Sequence, residues 1–368
     1  MTNTGRWVFA EVDGRYSILL LSVVKAGTGV AGVVRVAGPF HSLREFQVGK
    51  DVVGEIPVRS LLDWGNGAAF PLLPSTWSAE VFERMRRHPR FDHGGFWRVV
   101  SEFHATNDRK TFDAGGPGTS RWPVLTGASI HHWAPDFGEP YAWADHAKVS
   151  RVLQAKRERQ ARTRSSAFYG AAPKWVNDPA TLPALHPRIA FRDVARATDT
   201  RTMIAALVPG SVVLTNKAPW IYGAKGSAPD EAYLLGVLSS RVLDWYARRF
   251  VELAMSIHIL NAFPIPNPEP NDPLRLRTVE VAGRLAAIDA RYAEWAAQVG
   301  VAVGTATDPM TKNDLIAELD ALVALLFGLT REDVEHIFST FHRGWDFAPR
   351  LATTLAHFDR LTNEEPAR

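Results

Sequence analysis

The sequence predicts a mixed α/β (α+β) chain with a β-rich N-terminal segment, an α/β middle and a C-terminal helical bundle. Three observations predict it. Residues 5–36 concentrate β-branched and aromatic side chains in short runs broken by turn residues. Residues 187–219 hold two apolar segments separated by polar turns and a proline. Residues 272–344 repeat apolar side chains at helical spacing between capping residues. With 368 residues, 46% hydrophobic and 22% charged, the chain is long enough for two or three cores. It has no cysteine, which excludes disulfides and Cys-based zinc sites. The net charge of +3 does not argue for nucleic acid, although a pI near 9.1 permits it, so the distribution of charge must carry that case. The longest apolar run, residues 18–24, is far short of the roughly 20 residues that span a bilayer, and no basic-then-apolar leader opens the chain. A cytoplasmic protein without a membrane partner is expected.

In order, WVFAEV, YSILLLSVV and GVVRV, broken at Asp13-Gly14 and Gly27-Thr28-Gly29, predict a β-hairpin or meander. Residues 59–90 shift to helix, capped by Ser75 or Ser78, with Val81, Phe82 and Met85 on one face and Pro89 at the end. Residues 141–164 are basic: Lys148, Arg151, Lys156, Arg157, Arg159, Arg162 and Arg164 are opposed nearby by Glu158 alone. At 3.6 residues per turn these charges surround the helix, leave no wide apolar stripe and exclude it from the core. Either a solvated helix or a phosphate-binding one fits. Gly-Pro-rich stretches at 115–118 and 170–173 punctuate both sides.

Residues 187–219 lie within the run HPRIAFRDVARATDTRTMIAALVPGSVVLTNKAPW, from His186 to Trp220. On a strand, the even spacing of Arg188, Arg192 and Arg196 puts all three on one face, with Arg201 and Lys217 following. Such a face beside Thr198 and Asp199 suits phosphates and guanine edges, and the same residues also read as ion pairs with Asp193 and Asp199. A helix over 230–250 follows from Pro229-Asp230 and the apolar Leu234, Leu235, Val237, Leu238, Val242 and Trp245. Asp272 then caps a long helix with Pro273 at its first position and Gly300 past its end. Leu274, Val281, Ile288 and Trp295 form one seven-residue seam, and Thr278, Leu285, Tyr292 and Val299 its companion. Thr311 with Asp314 opens a second helix lined by Leu315, Leu319, Leu322 and Leu326 and closed by Gly328. Thr330 with Asp333 opens a third, carrying Val334, Ile337, Phe338 and Phe341 and closed by Gly344.

Several of these stretches, in order, resemble one family. WRVVSEFHATNDRKTFDAGG, a glycine-rich break and RWPVLTGASIHHW (97–133) are similar to the junction between catalytic and target-recognition domains in type IIG-like adenine-N6 DNA methyltransferases of restriction-modification and phage defence. GRWVFAEVDGRYSILLLSVVK resembles the last strands of that family's methyltransferase domain, and the arginine-bearing run at 187–219 resembles its recognition domain. HILNAFPIPNP (258–268) is similar to the exit from such domains, where the chain leaves a sheet for a long helix. LIAELDALVALLFGLTREDVEHIFSTF resembles the family's C-terminal signature. The resemblance implies three spans: 1–100, a methyltransferase tail; 101–270, an α/β DNA target-recognition domain; and 271–368, a helical region. It implies duplex DNA as partner, contacted by Arg188, Arg192, Arg196, Arg201, Lys217, Lys148, Arg151, Lys156, Arg157 and Arg159, together with a methyltransferase catalytic domain or subunit.

The catalytic signatures of that family are absent. No polar-Pro-Pro-aromatic turn grips a flipped adenine, since Asn267-Pro268-Glu269-Pro270 lacks paired prolines and an aromatic. No glycine-rich strand-to-helix turn offers an S-adenosylmethionine site, and neither a Walker A sequence nor a Gly-x-Ser-x-Gly elbow occurs. The expectation is no catalytic residue, no metal and no cofactor on this chain, with S-adenosylmethionine on a catalytic partner. A non-catalytic protein-binding or regulatory subunit of a defence complex is the alternative. A third reading, a metal-dependent nuclease, rests on Asp92 followed by Asp108-Arg109-Lys110, which reads equally as a turn. His131-His132 would face opposite ways on a strand and reads as structural or solvent-facing rather than metal-binding.

Overall fold

The structure is a computed structural model, and it describes all residues except 15, 23–31, 60–70, 72, 74, 113–114, 197–198, 225, 252–253, 342–343 and 365–368. Twelve α-helices and three small sheets occur among the described residues. β1 (Val33–Val36) and β2 (Gly54–Pro57) pair antiparallel around α1 (Leu43–Gly49), and α2 (Thr76–Arg86) follows. The middle of the chain carries β3 (Trp97–Val100), β4 (Arg121–Leu125), β5 (Ala142–Asp145), α3 (His146–Ala161) and α4 (Pro173–Asn177). It continues with β6 (Arg188–Phe191), β7 (Ala205–Val208), β8 (Val213–Leu214) and β9 (Trp220–Gly223). Helices then dominate: α5 (Ala228–Ser239), α6 (Arg241–Ala247), α7 (Ile257–Asn261), α8 (Pro273–Ala286), α9 (Ala293–Val299), α10 (Pro309–Leu326), α11 (Arg331–Ser339) and α12 (Ala348–Glu364).

One sheet runs β3-β9-β6-β7, all antiparallel. The other runs β5-β4-β8, with β8 parallel to β4. Strand alternation sorts the four-stranded sheet into two buried faces. Ile189, Phe191, Leu207 and Ile221 join the large helical core with Leu234, Leu238, Val281 and Leu322. Ala190, Val208 and Trp220 face a smaller cluster with Leu125, Phe168 and Leu214. The large core draws on all three spans expected from the sequence, from Val81, Phe82 and Met85 on α2 to Phe338 and Phe358. At Gly236 a Cβ would meet Thr278, Ala282 and Leu319 at 3.1–3.2 Å, so α5 and α8 approach closely there.

Several expected elements differ. Of the expected N-terminal meander, GVVRV does form the strand β1, whereas residues 1–14 form a loop wound around the buried Asn3, whose Nδ2 donates to the carbonyls of Phe9 (3.0 Å) and Val12 (2.8 Å), with an isolated bridge from Thr2 to Ser17. Asp13-Gly14 lies in that loop, and Gly27-Thr28-Gly29 lies outside the described residues. Of the stretch expected as helix over 59–90, residues 60–70, 72 and 74 lie outside the described residues, residues 76–86 are helical, and Ser75 is the cap, accepting from Ser78 N at 3.1 Å. The 230–250 helix breaks at Ser240, whose extended backbone and side chain cap α6, and its start is a reciprocal cap between Ser227 and Asp230.

The long seam after Asp272 is two helices. Asp289 accepts from Arg291 N (2.9 Å) and starts a new turn, so Ile288 falls in the break and is half-buried, while Tyr292 turns to the sheet and donates to Leu207 O at 2.8 Å. Gly300 does end α9 in the left-handed region, at φ +85°. The next helix starts at Asp308-Pro309, ahead of Thr311, because Asp308 accepts from Thr311 N at 2.8 Å. The Thr330–Asp333 cap is present as expected, although α11 stops at Ser339, before Gly344. The chain reaches α8 from the short α7, held where Phe91 N donates to Phe263 O (2.7 Å), so a helix and not a sheet precedes it.

Candidate nucleic-acid interface

The helix α3 forms because Asp145 caps it, accepting from Lys148 N at 2.8 Å, and because no glycine or proline interrupts 146–161. Its charges do not surround it evenly. Val149, Leu153 and Arg157 are buried on one side, packed toward Val124, Ala144, Val213 and Leu182. The expectation that this segment stays out of the core is therefore corrected: two aliphatic side chains and one arginine suffice to dock it.

Arg157 is 1% exposed and was expected to face DNA. It instead ties the loop after α4 to α3, donating to Thr181 O (2.9 Å), Thr181 Oγ1 (3.0 Å) and Asp178 O (2.8 Å), with its guanidinium 4.8 Å from the Trp175 ring centroid. Lys156 is half-buried too. Its Nζ donates to Glu102 O at 2.9 Å, pairs with Asp108 at 3.3 Å and lies 4.2 Å from the Phe103 ring centroid, so it is largely committed within the fold.

The opposite side of α3 is different. Lys148, Arg151 and Arg159, with Arg162 just past the helix end, are exposed and fall within one arc of the helix wheel. Lys148 Nζ reaches the Lys110 carbonyl at 3.4 Å and Arg151 Nε the Ala147 carbonyl at 3.2 Å. Among the described residues none of these four side chains pairs with a carboxylate. Eleven residues separate Lys148 from Arg159, so the charges extend over about 16 Å at a rise of about 1.5 Å per residue.

The arginine-bearing strand does not present one positive face. β6 ends at Phe191, and both faces of its sheet are covered, which buries Arg188. Arg188 donates to Glu102 Oε1 at 2.8 Å and to Val212 O at 3.0 Å, while Glu102 Oε2 accepts from Leu214 N at 2.7 Å. Burial pushes the Glu102 carboxyl up and lowers the Arg188 guanidinium, the partner's charge opposing each shift. Arg201 is buried as well, donating to Ser239 O with Nε 3.3 Å from Asp244 Oδ2. Arg188 and Arg201, expected at DNA, are thus internal. Arg192 is half-buried beyond the strand end, Arg196 is exposed in the following loop, and Lys217 is exposed but paired with Asp193 at 2.8 Å. Thr198 lies outside the described residues, and Asp199 accepts from Arg196 N at 3.1 Å.

Asp92 is held by both Nε and Nη2 of Arg90, at 2.9 and 3.0 Å, and Asp108 pairs with Lys156 and accepts from His104 N at 2.7 Å. His131 is half-buried, and His132 has both ring nitrogens buried. Among the described residues, no helix is long and apolar enough to cross a membrane. No protein-family model matches the chain, and no curated protein matches it. Sequence reasoning missed Arg241 and Arg248, whose guanidinium groups lie 5.0 and 4.2 Å from the Phe341 ring centroid, because that contact joins α6 to a residue about 100 positions later in the chain and leaves no local signal.

Proposed function

We propose that this chain binds duplex DNA, with the outer face of α3 along the phosphate backbone and Arg192 and Arg196 toward the bases. On this proposal it is the sequence-recognition part of an adenine-N6 methyltransferase of a restriction-modification or phage-defence system, and S-adenosylmethionine and the catalytic motifs belong to a partner domain. The observation that carries it is the exposed row of Lys148, Arg151, Arg159 and Arg162, which lacks carboxylate partners among the described residues. Surface cations that serve only solubility are usually interspersed with acids, whereas an unpaired row on a rigid helix matches a line of phosphates. The order of family-like segments along the sequence supports the methyltransferase part. Fluorescence anisotropy with a labelled duplex tests the proposal: replacing Lys148, Arg151 and Arg159 with glutamine abolishes binding at physiological salt, and unchanged affinity in a folded variant would count against it.

A second reading has its own observation. Leu19, Leu20 and Leu21 are 62–66% exposed, and Val48 and Val52 more so, which suits a protein partner in a defence complex. On that reading the α3 variant retains every interaction and N-terminal substitutions Leu20→Asp and Val48→Asp lose them.

A further inference from the structure

A cavity opens between the inner face of α3 and the four-stranded sheet. Val100 on β3, Leu153 on α3, Phe168 and Leu182 give it apolar walls, and Arg157 and Trp220 line it as well. The half-buried Gln160 and the exposed Ser101 lie on its solvent side. Its enclosed part measures about 20 Å³, enough for one small group, and the space including the open mouth about 330 Å³.

The carboxylate at this cavity is taken, and two donors are open. Glu102 lines the space, but its Oε1 accepts from Arg188 (2.8 Å), its Oε2 from Leu214 N (2.7 Å) and its carbonyl from Lys156 Nζ (2.9 Å). Trp220 is 4% exposed, and its buried Nε1 has no hydrogen-bond partner; Nε of Arg157, which is 1% exposed, has none either. Buried donors nearly always find a partner, so two open ones on residues that line the same cavity call for an acceptor between them. Charge is unbalanced in the same sense. The remaining Arg157 nitrogens donate only to uncharged acceptors, namely Thr181 O and Oγ1, Gln154 Oε1 and Asp178 O, while the Glu158 and Asp178 carboxylates act on the guanidinium through space alone. Arg188 offsets Glu102 and Lys156 offsets Asp108, which leaves the Arg157 charge as the excess.

We propose that this cavity binds the carboxylate end of a small organic acid, whose short apolar tail lies toward the mouth among Leu153, Phe168 and Leu182. An ionised carboxylate only accepts hydrogen bonds, which matches the open donors of Trp220 and Arg157, and its charge opposes that of the guanidinium. The corresponding amide brings no charge and sets an N–H against donors, so the site discriminates by both. The tail is short because the whole space, mouth included, stands at the lower end of the roughly 300–1,000 Å³ of small-molecule sites. Leu153, Arg157 and Gln160 belong to the side of α3 turned away from Lys148, Arg151 and Arg159, so this site does not depend on the proposed DNA surface.

Calorimetric titration of the full chain at pH 7.5 with sodium butyrate and with butyramide, at matched ionic strength in chloride, tests this. Butyrate binds saturably and at least tenfold more tightly than butyramide. Trp220→Phe keeps an aromatic ring, removes the indole donor and weakens butyrate at least fivefold. Gln160→Trp obstructs the solvent side from a half-buried helix position and weakens butyrate at least tenfold, which keeps the proposal decidable if Trp220→Phe fails to fold. The proposal is overturned if butyrate gives no binding, if butyramide binds equally, or if either variant folds and retains the parent's affinity. The α3 glutamine variant leaves butyrate binding unchanged, so this site and the proposed DNA surface fail separately.

Discussion

Replacing Arg188 by methionine separates a buried strut from a DNA contact. Arg188 and Glu102 are 2% and 7% exposed, 2.8 Å apart, and Glu102 also holds Leu214 N while Arg188 holds the Val212 carbonyl. The intact pair contributes little net stability, because burial drives both groups toward their neutral forms. Breaking it is costly. Arg188→Met leaves a buried carboxylate and an unsatisfied carbonyl, at a cost of about 3–5 kcal/mol, or roughly two to three and a half orders of magnitude in the folding constant. The double variant Arg188→Met with Glu102→Leu removes both charges and recovers most of that loss, a coupling that the double-mutant cycle isolates. The assay is urea unfolding followed by tryptophan fluorescence and far-UV circular dichroism, with DNA affinity measured below the transition. A folded Arg188→Met chain with the parent's unfolding midpoint and a reduced salt dependence of DNA binding would refute the assignment.

Other outcomes follow from the same structure. The chain alone binds no S-adenosylmethionine and transfers no methyl group, since the adenine-gripping and cofactor turns are missing; micromolar cofactor binding by calorimetry would contradict this. Leu322→Asp puts an unpaired charge at a fully buried position of α10 and costs several kcal/mol, whereas Ile288→Asp, in the half-buried break after α8, costs clearly less; equal melting temperatures for both variants would contradict the packing. Burial raises the Glu231 carboxyl to about 7 beside Trp295 Nε1, which donates at 3.0 Å. Between the ordinary carboxylate range and pH 7 the folded state therefore holds a proton that the unfolded state has lost, so this group's contribution to stability falls as pH rises through that window. The slope reaches at most about 1.4 kcal/mol per pH unit, and Glu231→Gln flattens it; an unaltered slope in that variant would remove Glu231 as its source.

The C-terminal helices were the most legible part of the sequence, because a cap and an apolar stripe are local signals. Thr330 with Asp333, Asp272-Pro273 and Gly300 all occupy the positions their chemistry predicts. Where local signals compete, periodicity misleads. The seven-residue seam continues through Ile288, yet Asp289 caps a new turn and the helix breaks. The site was only partly legible. Even spacing does put Arg188 and Ala190 on one face of β6, which ends before Arg192, but whether that face meets solvent depends on what covers it, and Phe168, Leu125 and Trp220 arrive from elsewhere in the chain. On α3 the wheel counted charge without noting that Val149 and Leu153 share an arc with Arg157.

The most direct test of the proposed function is the salt dependence of duplex binding for the parent and for the variant carrying Lys148→Gln, Arg151→Gln and Arg159→Gln. Each phosphate contact contributes about 0.9 to the slope of log K against log salt, so losing three lowers its magnitude by about 2.7. Binding weakens equally for every duplex sequence. A folded triple variant with the parent's slope and affinity would contradict the central claim that the outer face of α3 lies on the phosphate backbone.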